Sequence, residues 1–392
     1  MVWVALLLTI LLLPLVNPLS LPVVNTGAPV TRVFAISDLH VDAPPNLAWV
    51  EALERRPPLD ASTPEHHALL VAGDVSCDLG RLEKTLRCLR KTYDSVFYVP
   101  GNHEKWSDGY ADSLEKLDAV LETAHACDCR TAPAKLVAES SDEGGIIVAP
   151  LFSWYHASFD TEPELPSKNS ATFARRWQDF RRCSWPKEVA SAQDLNSQDT
   201  SLAEYFAALN DCDAILQSRT DGDMLLTLSH FLPSIRLLPE KRFMVEPMLA
   251  KVVGSSFLGK QVRELQPDLH VFGHSHIPID LEIDGTLHVQ WPLGSVKEQK
   301  RQCERISREG PLEVARSSCT VSCRWPGDGQ RTVWGSYYSR TEREPERTDL
   351  APWVIERQTP LKERKRSKGP LFVTKEWVDS KKVEGAADDD KA

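Results

Sequence analysis

Asp38 and His40 lie two positions apart, so in an extended backbone their side chains share a face and can close on one cation. A D-x-H triplet alone is weak evidence, because surface turns produce it readily. Four further groups follow it in order, each just past an apolar run: Gly73-Asp74, Gly101-Asn102-His103-Glu104, His230 and Gly273-His274-Ser275-His276. Asp38, His40, Asp74, Asn102, His230, His274 and His276 mix carboxylate, amide and imidazole donors. That mix suits Mn, Fe, Zn or similar ions, whereas calcium prefers all-oxygen shells and structural zinc sites use thiolates. None of the nine cysteines falls in a C-x-x-C pair. Seven donors exceed one tetrahedral site, but two divalent or trivalent ions that share Asp74 use them all. Two such ions about 3.5 Å apart can hold a bridging hydroxide and clamp phosphoryl oxygens in line with it. The pattern therefore predicts attack by that hydroxide on a phosphomonoester or phosphodiester.

Such chemistry needs a scaffold that brings five distant chain positions together. The runs RVFAIS, ALLVA, SVFYVP, MLLTLS and LHVFG precede the five groups. Strands apolar on both faces belong in buried, mostly parallel sheets, which collect functional groups at their carboxyl ends. All five tips are expected to face one crevice. Helical spacing is clearest at Leu79, Leu82, Leu86 and Leu89, with weaker stripes at Leu114/Leu117/Leu121, Phe173/Trp177/Phe180, Leu202/Phe206/Leu209 and Leu258/Val262/Leu265. Strand, helix, strand is the repeating unit, which defines an α/β class. IDLEI and TLHVQW flank Asp284-Gly285, a pair suited to a tight antiparallel hairpin. Residues 139–145 and 186–201 read as loops inside the domain.

The 392 residues have room for one large core with appendages or for two domains. With 42% hydrophobic and 26% charged residues, the composition excludes a disordered, collagenous or polytopic membrane protein. A formal charge of −10 repels a phosphate backbone, so nucleic-acid binding is disfavoured without a local basic patch. Residues 1–31 lack Asp, Glu and Lys, and the run Met1–Leu13 is apolar apart from Thr9, so 1–31 is read as a targeting segment. The apolar run is shorter than the roughly 20 residues of a spanning helix, which favours a signal over a transmembrane span. If residues 1–20 act as a signal, the protein is secretory or membrane-associated; otherwise it is cytoplasmic. Lys297–Glu309 and Lys362–Lys368 are charge runs and read as solvated. The domain is accordingly placed at 32–296, with 297–392 as a charged, partly disordered extension.

The ordered series D-x-H, G-D, G-N-H-E, H and G-H-x-H resembles the calcineurin-like metallophosphoesterase superfamily from about Arg32 to Leu293. The runs SDLHVDAPPNLAWVEAL, FYVPGNHE, PLFSWYHASFD and LPEKR are similar to plant and algal members. The resemblance implies a four-layer α/β/β/α sandwich with a dinuclear centre at the carboxyl ends of the strands. It also implies that Asp38, His40, Asp74 and His276 hold one metal, and that Asp74, Asn102, His230 and His274 hold the other. His103 is implied to protonate the leaving oxygen or stabilise the transition state.

Many relatives read G-D-x-x-D, the second Asp orienting the G-N-H-E histidine; here that carboxylate is displaced to Asp78, the candidate replacement. Val99-Pro100 before G-N-H-E, where phosphoprotein phosphatases carry Arg, disfavours that branch. Trp154, Tyr155 and His156 read as core packing more than as a pocket wall, and Lys241 and Arg242 as a solvated loop more than as phosphate ligands. His66 and His67 read as surface residues, and His270 and His288 as structural. The substrate class expected is a phosphorylated molecule of small or medium size. A nuclease, or a non-catalytic protein-binding scaffold on the same fold, are the alternatives; all seven ligand positions and His103 are kept, which favours the enzyme.

Overall fold

In each apolar run, successive side chains point to opposite faces of a strand, and both faces find a partner. The computed structural model describes residues 20–139, 144–165, 170–190, 194–317 and 332–358. Residues 1–19 of the expected targeting segment and the charge run Lys362–Lys368 lie outside the described residues.

The strands are β1 (Val23–Asn25), β2 (Val30–Ile36), β3 (Glu65–Ala72), β4 (Ser95–Val99), β5 (Ala134–Val137), β6 (Ile146–Pro150), β7 (Met224–Leu228), β8 (Leu269–Phe272), β9 (Ile279–Ile283), β10 (Thr286–Gln290) and β11 (Leu312–Arg316). They form a sheet of order β11-β2-β3-β4 and another of order β1-β5-β6-β7-β8-β10-β9. Val33, Ala35, Leu70 and Phe97 of the first sheet meet Val148, Leu226, Leu228 and Val271 of the second in one core between the sheets. The alternate residues Phe34, Ile36, Leu69, Val71 and Tyr98 pack outward against Leu82, Leu86, Leu89, Val120 and Ala124 from two helices. On the far side, Ile147, Ala149 and Leu225 pack against Leu258, Val262 and Leu265. Four layers result, α/β/β/α, each fully buried Val, Leu or Ile contributing roughly 1.5–3 kcal/mol of transfer free energy.

The Leu79 stripe forms the helix Leu79–Thr92, and the Leu258 stripe forms Ser256–Leu265. β2, β3 and β4 pair in parallel, as do β7 and β8, so the five tips lie at carboxyl ends. Asp284 and Gly285, at φ 52° and 83°, turn the antiparallel β9–β10 hairpin. The Phe173/Trp177/Phe180 stripe breaks into two short helices, Ser170–Arg176 and Asp179–Arg182. Tertiary contacts win over periodicity there, because Trp177 is turned so that its Nε1 donates to the Tyr155 hydroxyl at 3.0 Å.

The expected boundaries at 31 and 296 shift. β1, inside the segment read as targeting, pairs in parallel with β5. β11, inside the expected extension, pairs antiparallel with β2, and Leu312, Val314 and Ala315 join the core between the sheets. Further on, Trp353 and Val354 pack with Phe243 and Tyr337. The average composition of 297–392 is charged, and it conceals these few apolar positions. Among the described residues no helix is long and apolar enough to cross a membrane.

Candidate metal centre

Each strand tip turns sharply, and the turns carry the donors. Asp38, His40, Asp74, His274 and His276 all have positive φ, between 43° and 75°, in the left-handed region that disfavours side chains. Such conformations cost about 1–3 kcal/mol each and persist only where the surroundings over-determine them. Here the backbone is laced together: Asp38 N–H donates to Gly73 O at 3.0 Å, His40 N–H to Asp74 O at 2.9 Å, and His274 N–H to Asp38 Oδ1 at 2.9 Å. Close approach also demands glycine, since a methyl group on Gly101 would lie 2.1 Å from Asp74 Oδ1.

All seven expected ligands converge. One donor atom each from Asp38, His40, Asp74 and His276 lies within 4.8 Å of the others, and Asp74, His230 and His274 form a second such group. Asn102 completes the second group, with Oδ1 2.9 Å from both His230 Nε2 and His274 Nδ1. Asp74 is common to both, its Oδ1 3.4 Å from His230 Nε2 and its Oδ2 3.9 Å from His40 Nε2.

The donor set fits a cation. His230 Nδ1 lies 2.9 Å from Ala72 O and His274 Nε2 2.9 Å from Val252 O. A carbonyl only accepts, so these nitrogens carry the protons and the opposite nitrogens present lone pairs. His230 Nε2, His274 Nδ1 and Asn102 Oδ1, mutually 2.9–3.1 Å apart, are then three acceptors with no donor among them. A cation satisfies such a cluster. In the first group, His276 Nδ1 donates to Glu298 Oε2 at 2.9 Å, which leaves Nε2 facing His40 Nε2 at 2.8 Å and Asp38 Oδ1 at 3.5 Å.

The electrostatics agree. Burial, then the Glu104 and Asp38 carboxylates, pushes Asp74 well above the usual carboxyl range. Burial holds His230 well below its ordinary value and His274 down to about 4. Burial opposes charge on His276 too, but Asp38 and Glu298 outweigh it and hold the ring well above the imidazole range. The carboxylates of this pocket thus call for positive charge.

His103 sits at the rim, its Nε2 3.7 Å from Asp74 Oδ2 and its backbone N–H donating to Asp74 Oδ1 at 3.0 Å. Asp78 does not replace the orienting carboxylate. Its side chain caps the helix Leu79–Thr92 by accepting Arg81 N–H at 2.8 Å. The His103 ring instead packs on Trp106, centroids 3.7 Å apart.

Three residues behind the centre escaped the sequence. Glu104, fully buried, accepts the backbone N–H groups of Asp74, Val75, Ser76 and Gly101, tying the second and third tips together. The G-N-H-E spacing placed it there but did not reveal its role. Glu298 belongs to a charge run read as solvated, and Asp179, which accepts Asn102 Nδ2–H at 2.9 Å, carries no local signal.

Other expectations resolve simply. His66 and His67, read as surface, are 7% and 1% exposed within β3, bonded to Ser95 and Glu65. Lys241 and Arg242 are neither solvated nor at the centre: Lys241 pairs with Asp160 at 2.6 Å and Arg242 with Glu344 at 3.4 Å. His156 is a satisfied histidine between Ser158 and Ser256, and Trp154 lies in the core.

A family model described as calcineurin-like phosphoesterase matches residues 31–278, well over half of the chain. The chain belongs to that family and is a metal-dependent phosphoester hydrolase. It is similar to the acyl-carrier-protein phosphodiesterase PptH of Mycobacterium tuberculosis, with 23% identity over 275 residues that cover 69% of this chain and 80% of the relative. Among solved structures, phosphopantetheinyl hydrolase PptH from Mycobacterium tuberculosis matches 70% of this chain and 93% of its own with TM-score 0.49 and 21% identity. A cold-active protein tyrosine phosphatase mutant matches 70% and 74% with TM-score 0.25 and 10% identity.

Proposed function

We propose that the chain cleaves a phosphodiester in a phosphorylated molecule of small or medium size, using two ions drawn from Mn, Fe and Zn. The observation that carries this reading is the pair of acceptor-rich cages that share Asp74 at the strand tips. Asp38, His40, Asp74 and His276 would hold one ion, and Asp74, Asn102, His230 and His274 the other. When bound, the ions supply a nucleophilic water at neutral pH and electrostatic stabilisation of the phosphoryl oxygens.

The chain's own residues do the rest. Glu104 and the backbone lacing hold the donor atoms in place before substrate arrives, so little reorganisation accompanies reaction. Asp74 orders the His103 backbone, and Trp106 orders its ring, with the imidazole 25% exposed at the rim. From there Nε2 donates a hydrogen bond or a proton to the leaving oxygen, a contribution of about 10²- to 10⁴-fold. The diester preference is supported by the likeness to PptH, an acyl-carrier-protein phosphodiesterase. A nuclease reading has the chain's net charge of −10 against it.

The test is hydrolysis of paired chromogenic monoester and diester substrates after chelation, with Mn, Fe or Zn restored and Asp74→Asn as control. Metal-dependent turnover that favours the diester is expected. Turnover confined to the monoester would overturn the substrate class, and none from folded, metal-loaded protein would favour a scaffold.

A further inference from the structure

The amide of Asn102 can point either end at His230 and His274, and the two orientations have opposite consequences. With Nδ2 toward the histidines, two N–H donors would satisfy two imidazole lone pairs. Toward the two histidines alone that flipped arrangement is the better hydrogen-bonded one, and it would fill the cage with donors that repel a cation. The observed orientation is the reverse, Oδ1 lying 2.9 Å from both His230 Nε2 and His274 Nδ1.

Asp179 accounts for it. Its Oδ1 accepts Asn102 Nδ2–H at 2.9 Å and Trp106 Nε1–H at 2.7 Å. A flipped amide would set its own oxygen against this carboxylate oxygen, an acceptor against an acceptor, in a site where Asp179 is only 3% exposed and water cannot relieve the clash. Asp179 opens the short helix Asp179–Arg182, whose last residue lays its guanidinium 3.9 Å over the Trp106 ring and pairs with Asp108. That ring also packs against His103. One turn of chain, supplied from between β6 and β7, therefore touches both the amide ligand and the support of the rim histidine.

We propose that Asp179 is a positioning residue that locks the Asn102 amide with its oxygen toward His230 and His274, keeping the second cage ready for a cation. The proposal rests on the assignment of Asn102, His230 and His274 to one ion. A Leu at this position would keep the size but accept nothing, so it would permit the flip, whereas an Asn would be held with its oxygen inward by Trp106 Nε1–H and would keep the lock.

Calorimetric titration of the full chain with Mn²⁺ alone tests this. Two bound ions are expected in the wild type. In Asp179→Leu, two are expected with the affinity of one reduced about 10- to 100-fold, the range for lost outer-shell partners of metal ligands. Asp179→Asn, whose oxygen still accepts from both Asn102 Nδ2–H and Trp106 Nε1–H, is expected to keep tight binding of both ions. Unchanged affinity in Asp179→Leu would overturn the proposal while leaving the two-ion assignment intact. Failure of the wild type to bind two ions would overturn the assignment itself. Should Asp179→Leu not fold, Asp179→Asn decides: two tight ions sustain the proposal, and one weakened ion refutes it.

Discussion

The two halves of the centre are built differently. In the half formed by Asp74, Asn102, His230 and His274 every side chain is buried, and both histidines are fixed by backbone carbonyls, Ala72 O at the end of β3 and Val252 O in the turn Pro247–Val252. In the half formed by Asp38, His40, Asp74 and His276 the two imidazoles are 14% and 20% exposed, and His276 is oriented by Glu298 from a segment beyond the expected domain. Main-chain partners cannot be removed without rearranging the fold, whereas a side-chain partner near the surface can move. The inner half is thus a feature of the sandwich and the outer half an adjustable addition, which predicts unequal affinity and exchange of the two ions.

The largest effect belongs to the residue that the halves share. Asp74→Asn is expected to lower turnover about 10³-fold, the upper end for losing one preorganised electrostatic group, and to reduce bound Mn²⁺ measured by elemental analysis from two ions. Equal stoichiometry in that variant would break the shared-ligand picture. Next, His230→Ala and His40→Ala should separate the halves by stability. His230→Ala leaves Ala72 O without its buried donor and should cost about 1–3 kcal/mol in urea unfolding of metal-free protein, while His40→Ala at the more exposed half should change it far less. Similar losses in both would erase the distinction. Glu298→Gln should weaken one Mn²⁺ by about 10- to 100-fold and leave the other unchanged in the same titration. The smallest effect is kinetic: partial chelation should withdraw one ion first, and the ion retained should be the one whose binding is insensitive to Glu298→Gln.

The sequence displays the inner half better than the outer. Its histidines and amide follow apolar strands directly, and β3, β4, β7 and β8 end where those runs end. In both halves the left-handed turns, at Asp38, His40, Asp74, His274 and His276, carry no compositional mark, since such positions more often hold glycine or asparagine. Partners contributed from elsewhere are invisible to local reading. Glu298 sits among charges that average to a solvated tail, Asp179 lies in a stretch with a false helical stripe, and Asp78 invites an orienting role that its helix cap already occupies. His66 and His67 mislead for the same reason, because polar residues at the start of β3 are covered by Ser95, Glu65 and the neighbouring strands. Patterning locates strands and candidate donors; the side chains that aim those donors come from tertiary structure.

The most direct test of the two-half account is an anomalous-scattering map from crystals grown with Mn²⁺. Two peaks are expected. One should be bound by Asp38, His40, Asp74 and His276, and the other, at higher occupancy under limiting Mn²⁺, by Asp74, Asn102, His230 and His274. A single peak, or two peaks that do not share Asp74, would contradict the account.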